Sequence, residues 1–212
     1  MACDMDIMKK ASEVTGASSW EQVYHLLEPS HLPWNAGGPD PDLARLVREG
    51  RIPPGSAVDL GAGPGHDAIH LAREGFSVLA VDISKTAVKL AAANANLAGL
   101  GGKIDFRVGD ALKLELPAGS VSFINDRGFF HFLLPESRPD YLDLVRRGLK
   151  PQGRLLLRTF SDQEPPGVGP ARFSRAELES IFSKDFEFLE FSEGVFEGPQ
   201  KPKSFLCLLR KR

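Results

Sequence analysis

From Ser56 onward the chain alternates short apolar runs with longer stretches whose apolar residues recur at helical spacing. The runs near 56–60, 76–81, 103–108, 120–126 and 153–160 predict strands, and the stretches near 66–74, 84–98 and 137–148 predict helices between them. Gly75 stands where a helix C-cap belongs and Ser84 where an N-cap belongs. Strands alternating with helices at this spacing make βαβ units, and therefore a parallel sheet with both faces covered. The tail breaks the alternation. "SRAELESIF" opens with the capping-box pattern Ser174-x-x-Glu177, and the runs "FEFLEFSEGVFEG" and "SFLCLLRKR" follow with no helix between them. Two such strands pair as an antiparallel hairpin. The expected fold is α/β: a doubly wound, seven-stranded sheet of five parallel strands plus a C-terminal antiparallel hairpin, with helices on both faces.

Ahead of this core the pattern is weaker. The first dozen or so residues read as frayed, and "SWEQVYHLLE" (Ser19–Glu28) spaces its apolar groups as a short helix. A Pro/Gly-rich connector, "PSHLPWNAGGPDP", leads to Asp40, a helix cap with Pro41 at the first position, and Gly50 ends that helix after "LARLVRE". The expected organisation is an N-terminal extension and helix over 1–33, partly flexible, and one domain over 34–212.

Composition narrows the class. At 212 residues, 42% hydrophobic and 25% charged, the chain reads as one globular domain with a sizeable core. A net charge of −2 gives no basic footprint for nucleic acid or an anionic membrane. The start, "MACDMDIMKKASEV", lacks the apolar run of a secretory signal, and no stretch approaches the ~20 apolar residues that span a bilayer. Two cysteines, Cys3 and Cys207, make neither a disulfide framework nor a zinc set, so they read as reduced thiols of a cytoplasmic protein. His25, His31 and His70 have no metal-binding company.

The chemistry sits in "VDLGAGPGHDAIHLAREGFSVLAVDIS" (Val58–Ser84). A glycine loop between a strand and a helix N-terminus offers free backbone N–H groups and a positive dipole end to a ligand. No Lys-Ser/Thr follows, as a P-loop requires, and the dinucleotide fingerprint needs glycine where His66 stands. The pattern present, Asp59-x-Gly61-x-Gly63-x-Gly65, resembles motif I of the class I S-adenosylmethionine-dependent methyltransferases. The resemblance runs on in order. Asp82, closing "LAVDIS", matches the acidic residue that holds the ribose hydroxyls, with Ile83 beside it. "VGDAL" (Val108–Leu112) stands at the family's adenine-contacting segment and supplies Asp110 and Ala111. "FINDRGFF" (Phe123–Phe130) closes the fourth strand with Asn125. The resemblance implies a Rossmann-like domain over roughly residues 34–210, S-adenosyl-L-methionine as cofactor and S-adenosyl-L-homocysteine as product. Elementary charge agrees: Asp59, Asp82 and Asp110 suit a ribose diol, an ammonium and a cationic sulfonium, and would repel a pyrophosphate.

The acceptor is read by elimination and further likeness. The Asn/Asp-Pro-Pro-aromatic motif of amino-methylating enzymes is absent, as is the Pro-Cys nucleophile of cytosine-C5 enzymes. Asp126-Arg127-Gly128 is similar to the thiopurine methyltransferase group, whose members methylate thiols, tellurite, selenite or halides. "PWNAGGPDPDL" resembles the segment those proteins fold over the cofactor, which brings in Trp34, and "TFSDQEPPGVGPARFS" resembles a loop of tellurite-resistance-type methyltransferases. The candidates around the acceptor are His131 as a base, Asp126, and Arg127, which either pairs with Asp126 or holds an anion. Phe129 and Phe130 read as core and site wall. A small-molecule acceptor is expected. An O- or N-acceptor, a macromolecular substrate, a non-catalytic cofactor-binding module and a nicotinamide-dependent enzyme stand as alternatives.

Overall fold

The computed structural model describes residues 17–26, 32, 34–165, 169–198 and 200–212. The expectations placed on the first dozen residues with Cys3, on Glu28, His31 and Pro33, and on 166–168 lie outside them. The elements in chain order are α1 (Ala17–Leu26), α2 (Pro41–Arg48), β1 (Ser56–Leu60), α3 (His66–Arg73), β2 (Ser77–Asp82), α4 (Lys85–Leu97) and β3 (Ile104–Val108). Then come β4 (Val121–Arg127), α5 (Arg138–Gly148), β5 (Leu149–Ser161), β6 (Arg172–Phe173), α6 (Arg175–Phe182), β7 (Phe186–Val195) and β8 (Lys203–Lys211). Short 3-10 turns at Ala111–Lys113 and Phe130–Phe132 lie just beyond β3 and β4.

The sheet order is β3-β2-β1-β4-β5-β8-β7. Strands β1 to β5 are parallel, with Val58 beside Leu79 on one side and Ile124 on the other. β8 runs antiparallel between β5 and β7. The expected five parallel strands and hairpin are therefore present, and the two-residue β6 adds a short parallel pairing on β5. The strand order reverses between β1 and β4. A crevice opens at such a switch point beyond the carboxyl ends of the strands, where an open α/β sheet binds its ligands.

Local chemistry sets the boundaries. Asp40 accepts from the Asp42 and Leu43 amides with Pro41 inside the helix, Ser84 accepts from the Ala87 amide, and Ser174 and Glu177 form a reciprocal capping box. Gly75 follows α3 at φ +85°, a conformation only glycine adopts without strain. β5 starts at Leu149, earlier than the apolar run predicts, because Pro151 and Gly153 mask its first residues at a register irregularity against β4. One face of the sheet buries Leu60, Ile124, Tyr141, Leu157 and Phe182; the other buries Leu46, Ile69, Val78, Phe123 and Leu208. β1 is buried along four of its five residues, as a strand covered on both sides must be.

α1 docks on this core through a third small cluster, Val23, Tyr24, Leu32 and Ala87, with Trp34 packed against it. Its Glu21 carboxylate accepts from Ser84 Oγ (2.7 Å), the Thr86 amide (3.0 Å) and Thr86 Oγ1 (2.6 Å), so it caps the start of α4 from outside. Those bonds hold the Glu21 pKa down at about 2.

Candidate active site

A cavity of about 670 Å³ occupies the crevice. Its floor is the glycine loop after β1, the Asp82–Ile83 end of β2 and the Gly109–Leu112 turn after β3. Its other walls are residues from 127 to 138 after β4, Phe160 on β5, Gly169–Ala171, Phe196 and Pro202, with Trp20, Tyr24 and Trp34 from the N-terminal side.

The three loop glycines all take positive φ, +66° at Gly61, +51° at Gly63 and +80° at Gly65, but they differ in what they serve. Gly61 and Gly63 form the cavity wall. A Cβ on Gly63 would stand 2.7 Å from Tyr24 Oη. Gly65 is not in the wall; a Cβ there would stand 2.7 Å from Ala91 Cβ, so this glycine lets α3 pack on α4. Asp82 ties the loop to β2, accepting from the Gly63 amide through Oδ2 and the Ser84 amide through Oδ1, both at 2.9 Å. Burial pushes its pKa up while those amides hold it back.

Beneath the loop lies a buried acidic cluster. Asp59 Oδ1 accepts from Asn125 Nδ2 at 2.8 Å, and Asn125 also donates to Asp67 Oδ2 at 3.2 Å. Asp67 Oδ1 accepts from the Asp40 amide at 2.7 Å. Asn125 therefore stands under the wall, cross-linking two carboxylates, and does not reach the cavity as the sequence suggested. Asp59 does reach it, and its Oδ2 is buried with no hydrogen-bond partner among the described residues. Burial, then the charge of Asp67, pushes Asp59 well above the usual carboxylate range. A buried acceptor at the wall with its second oxygen unsatisfied fits an ammonium group. Ile83, Asp110 and Ala111 line the cavity as expected positions; Asp110 also caps its turn by accepting from the Leu112 amide at 3.0 Å.

The β4 end departs from expectation. Arg127 does not pair with Asp126: its guanidinium meets Asp40 at 3.2 Å, beside Arg158, which bridges Asp40 (2.7 Å) and Asp42 (2.5 Å). Asp126 is buried away from the cavity and caps the following 3-10 turn, accepting from the Phe129 (2.8 Å) and Phe130 (3.2 Å) amides. Burial raises its pKa to about 6. Phe129 forms wall and Phe130 core. Arg127 itself lines the cavity, as does Arg138, whose guanidinium lies 4.8 Å from the Phe173 ring centroid.

His131 is buried but opens on the cavity. Its Nδ1 accepts from the Phe160 amide at 3.2 Å, and its ring packs among Phe132 (4.7 Å), Phe160 (4.9 Å) and Phe196 (5.5 Å). Burial alone takes its pKa down to about 3. His66 also lines the cavity, with Nε2 2.9 Å from Asn35 Oδ1. Trp34 donates from Nε1 to Tyr24 Oη at 2.9 Å, and Trp20 meets Trp34 and Phe132 edge-on at 5.7 and 4.8 Å.

Sequence reasoning missed Trp20, Tyr24, Asp67, Phe160 and Phe196. Trp20 and Tyr24 stand four apart on α1, a spacing that marks one face of a helix, though not what that face covers. Asp67 reads as an ordinary acid in a first helical turn, and the two phenylalanines as strand core. No group of three or more His, Cys, Asp or Glu among the described residues is placed to hold a metal ion, and no described helix is long and apolar enough to cross a membrane.

A profile described as "Methyltransferase domain" matches residues 57–153, which carry the glycine loop, Asp82, Asp110 and the end of β4. The "Probable thiol methyltransferase 2" of Arabidopsis thaliana is 30% identical over 198 residues, 92% of this chain and 86% of that protein. The "2-heptyl-1-hydroxyquinolin-4(1H)-one methyltransferase" of Mycobacteroides abscessus is 30% identical over 171 residues, 78% of this chain and 74% of that protein. A solved structure described as "Conversion of a Disulfide Bond into a Thioacetal Group during Echinomycin Biosynthesis" superposes with a TM-score of 0.80 at 24% identity, covering 92% of both chains.

Proposed function

Because the chain belongs to the class I S-adenosylmethionine-dependent methyltransferases, we propose that it methylates a small-molecule acceptor through a soft or anionic atom, with a thiol or thiopurine-like sulfur foremost and a chalcogen oxyanion or halide in the same class. The enzyme class and the cofactor follow from the family. S-adenosylmethionine supplies an electrophilic methyl group on a cationic sulfur, and in-line displacement passes that methyl to an acceptor lone pair. The residues that would hold it are Asp59 through its free oxygen, the Gly61 and Gly63 backbone, Asp82 with Ile83, and Asp110 with Ala111. Trp34 and Tyr24 would close the site from above.

One observation carries the acceptor reading. Among the described residues, the side chains that line the cavity between Arg127 and Arg138, on Phe160, at Gly169–Ala171 and at Phe196, Gln200 and Pro202 are mostly aromatic and aliphatic; the polar ones are His131, Ser137, Gln200 and two guanidiniums, and none is a carboxylate. Such a chamber favours a hydrophobic body with a negative pole and gives an ammonium or a sugar little to bind. Desolvating an anionic nucleophile beside a fixed cation readies it for displacement. The plant thiol methyltransferase relative supports a sulfur acceptor. The mycobacterial relative, named for a hydroxylated quinolone, supports a second reading, an acidic hydroxyl on a heteroaromatic ring.

The test is methyl transfer from labelled S-adenosylmethionine to a panel of thiols, thiopurines, tellurite, selenite, iodide, phenols, amines and bulk RNA, with S-adenosylhomocysteine titrated as the binding control. Transfer to the sulfur or chalcogen members is the expected result. Transfer confined to amines or RNA would overturn the acceptor class.

A further inference from the structure

Resting on that acceptor reading, we propose that His131 touches the acceptor atom as a hydrogen-bond donor through Nε2–H and takes no proton from it, so that the enzyme is built for acceptors that arrive already ionised.

The tautomer is fixed by the backbone. The Phe160 amide has only a hydrogen to offer, and at 3.2 Å it points that hydrogen at Nδ1. Nδ1 must then present its lone pair, and the neutral ring carries its proton on Nε2. Gly128 guards the other edge. A Cβ there would stand 3.1 Å from Nε2 and 3.2 Å from Cε1, so glycine at this position leaves the donor unobstructed. No described residue accepts from Nε2, and the ring forms part of the cavity wall.

Acting as a base is correspondingly expensive. Nε2 can accept a proton only after its own has moved to Nδ1, which breaks the Phe160 bond, and the ring that results is a buried cation. The groups packed on the ring are Gly128, Phe132, Phe160 and Phe196, none of which titrates or stabilises a charge by ion pairing. Burial already holds the ring neutral, with a pKa of about 3, far from the near-neutral value a general base needs. The carboxylates of this cavity, Asp59, Asp67, Asp82 and Asp110, come from the flanks of the glycine loop and the ends of β2 and β3, the side that would hold the cofactor.

A donor aimed into this cavity bonds an anionic acceptor about twice as strongly as a neutral one. The proton is therefore lost to solvent before binding, the acceptor's lone pair would form the new bond to the methyl carbon as the methyl–sulfonium bond breaks and its electron pair leaves on S-adenosylhomocysteine, and no proton moves on the enzyme. This defines the substrate class. Thiols, with a reference pKa of about 8.5, and acidic heteroaryl hydroxyls qualify, whereas aliphatic alcohols and protonated amines do not.

The probe is a series of ring-substituted thiophenols of differing acidity, assayed for kcat/KM from pH 5 to 9 at saturating S-adenosylmethionine. The expected profile rises with the thiolate fraction and levels at each thiophenol's own pKa. A profile flat below the thiol pKa, the signature of a neutral thiol deprotonated on the enzyme, would overturn the proposal. His131→Gln, which keeps an N–H donor, and His131→Leu, which does not, give the second readout with S-adenosylhomocysteine binding as the control. Leu is expected to lower kcat/KM for thiophenols about 10- to 150-fold and Gln to recover most of it. Equal loss in both variants with binding intact would also overturn it. Wild-type enzyme that methylates no thiophenol removes the acceptor reading, and this inference with it.

Discussion

Asp59→Asn takes one negative charge out of a buried cluster and leaves its shape almost unchanged, because the amide oxygen still accepts from Asn125. In the wild type, Asp59 Oδ2 is buried and unpaired, and Asp67, Asp126 and Asp82 all bear on it with like charge. Asparagine exchanges an unpaired acceptor for an unpaired donor, so the gain comes from removing a buried charge among like charges, about 1–2 kcal/mol. At roughly 2–4 °C per kcal/mol for a chain this size, the ligand-free variant should melt about 2–8 °C higher near pH 8. The pH direction follows from the raised pKa. A carboxyl that holds its proton more tightly folded than unfolded contributes stability in full below the unfolded value of 3.8, and loses it as pH rises through the folded value. The advantage of the variant therefore grows with pH and fades toward pH 4. Ligand affinity moves the other way. The charge-assisted bond that Asp59 would make to an ammonium is worth about 1.5–3 kcal/mol, so S-adenosylhomocysteine should bind about 10- to 150-fold more weakly. Thermal unfolding without ligand from pH 4 to 8, beside isothermal titration with S-adenosylhomocysteine, measures both. A variant that melts below the wild type at pH 8 and binds equally well would refute the assignment.

Asp82→Ala deprives the Gly63 and Ser84 amides of their acceptor and should weaken S-adenosylhomocysteine binding about 30- to 1,000-fold by titration calorimetry. Glu21→Ala cuts the three bonds that seat α1 on α4, and should raise KM for S-adenosylmethionine severalfold. Because the Glu21 pKa is depressed, its contribution to docking is complete above 4.5 and lost as pH falls through about 2, so tryptophan emission should report α1 in place down to about pH 3 in the wild type and loosened at neutral pH in the variant. Arg158→Met leaves Asp40 without its closest cation and should cost about 3–5 kcal/mol by urea unfolding. Asp40→Asn in the same chain is expected to return part of it.

The pattern of apolar runs carried the sheet, because strands buried on both faces and capped helices write their own boundaries. Asp40, Ser84, Gly75 and the Ser174–Glu177 pair act within a few residues of themselves, which is why they were legible. The glycine loop was legible for a related reason: three positive-φ positions and a terminal carboxylate make a local signature. The roles around β4 were not. Asn125, Asp126 and Arg127 are consecutive, yet one reaches down to Asp59 and Asp67, one turns back to cap Phe129, and one crosses to Asp40, 87 positions earlier in the chain. Strand alternation explains the split of directions, but the partners are set by which loops the fold brings over that strand end. The state of His131 was equally hidden, since the Phe160 amide that fixes its proton lies 29 residues away.

The position of β8 has a consequence for how the protein is made. Along Arg154–Thr159, β5 gains its second neighbour only when β8, which follows β7 in sequence, slides in between them. A ribosome elongating at ~5–20 residues per second therefore leaves the β5 edge unpaired for about 3–10 s after β5 itself has emerged. During that interval the Arg154–Thr159 stretch presents an open edge on a hydrophobic strand, the kind of surface that recruits other nascent strands. Expression rate and chaperone supply, more than the thermodynamics of the finished sheet, should then govern how much of this enzyme reaches its native state.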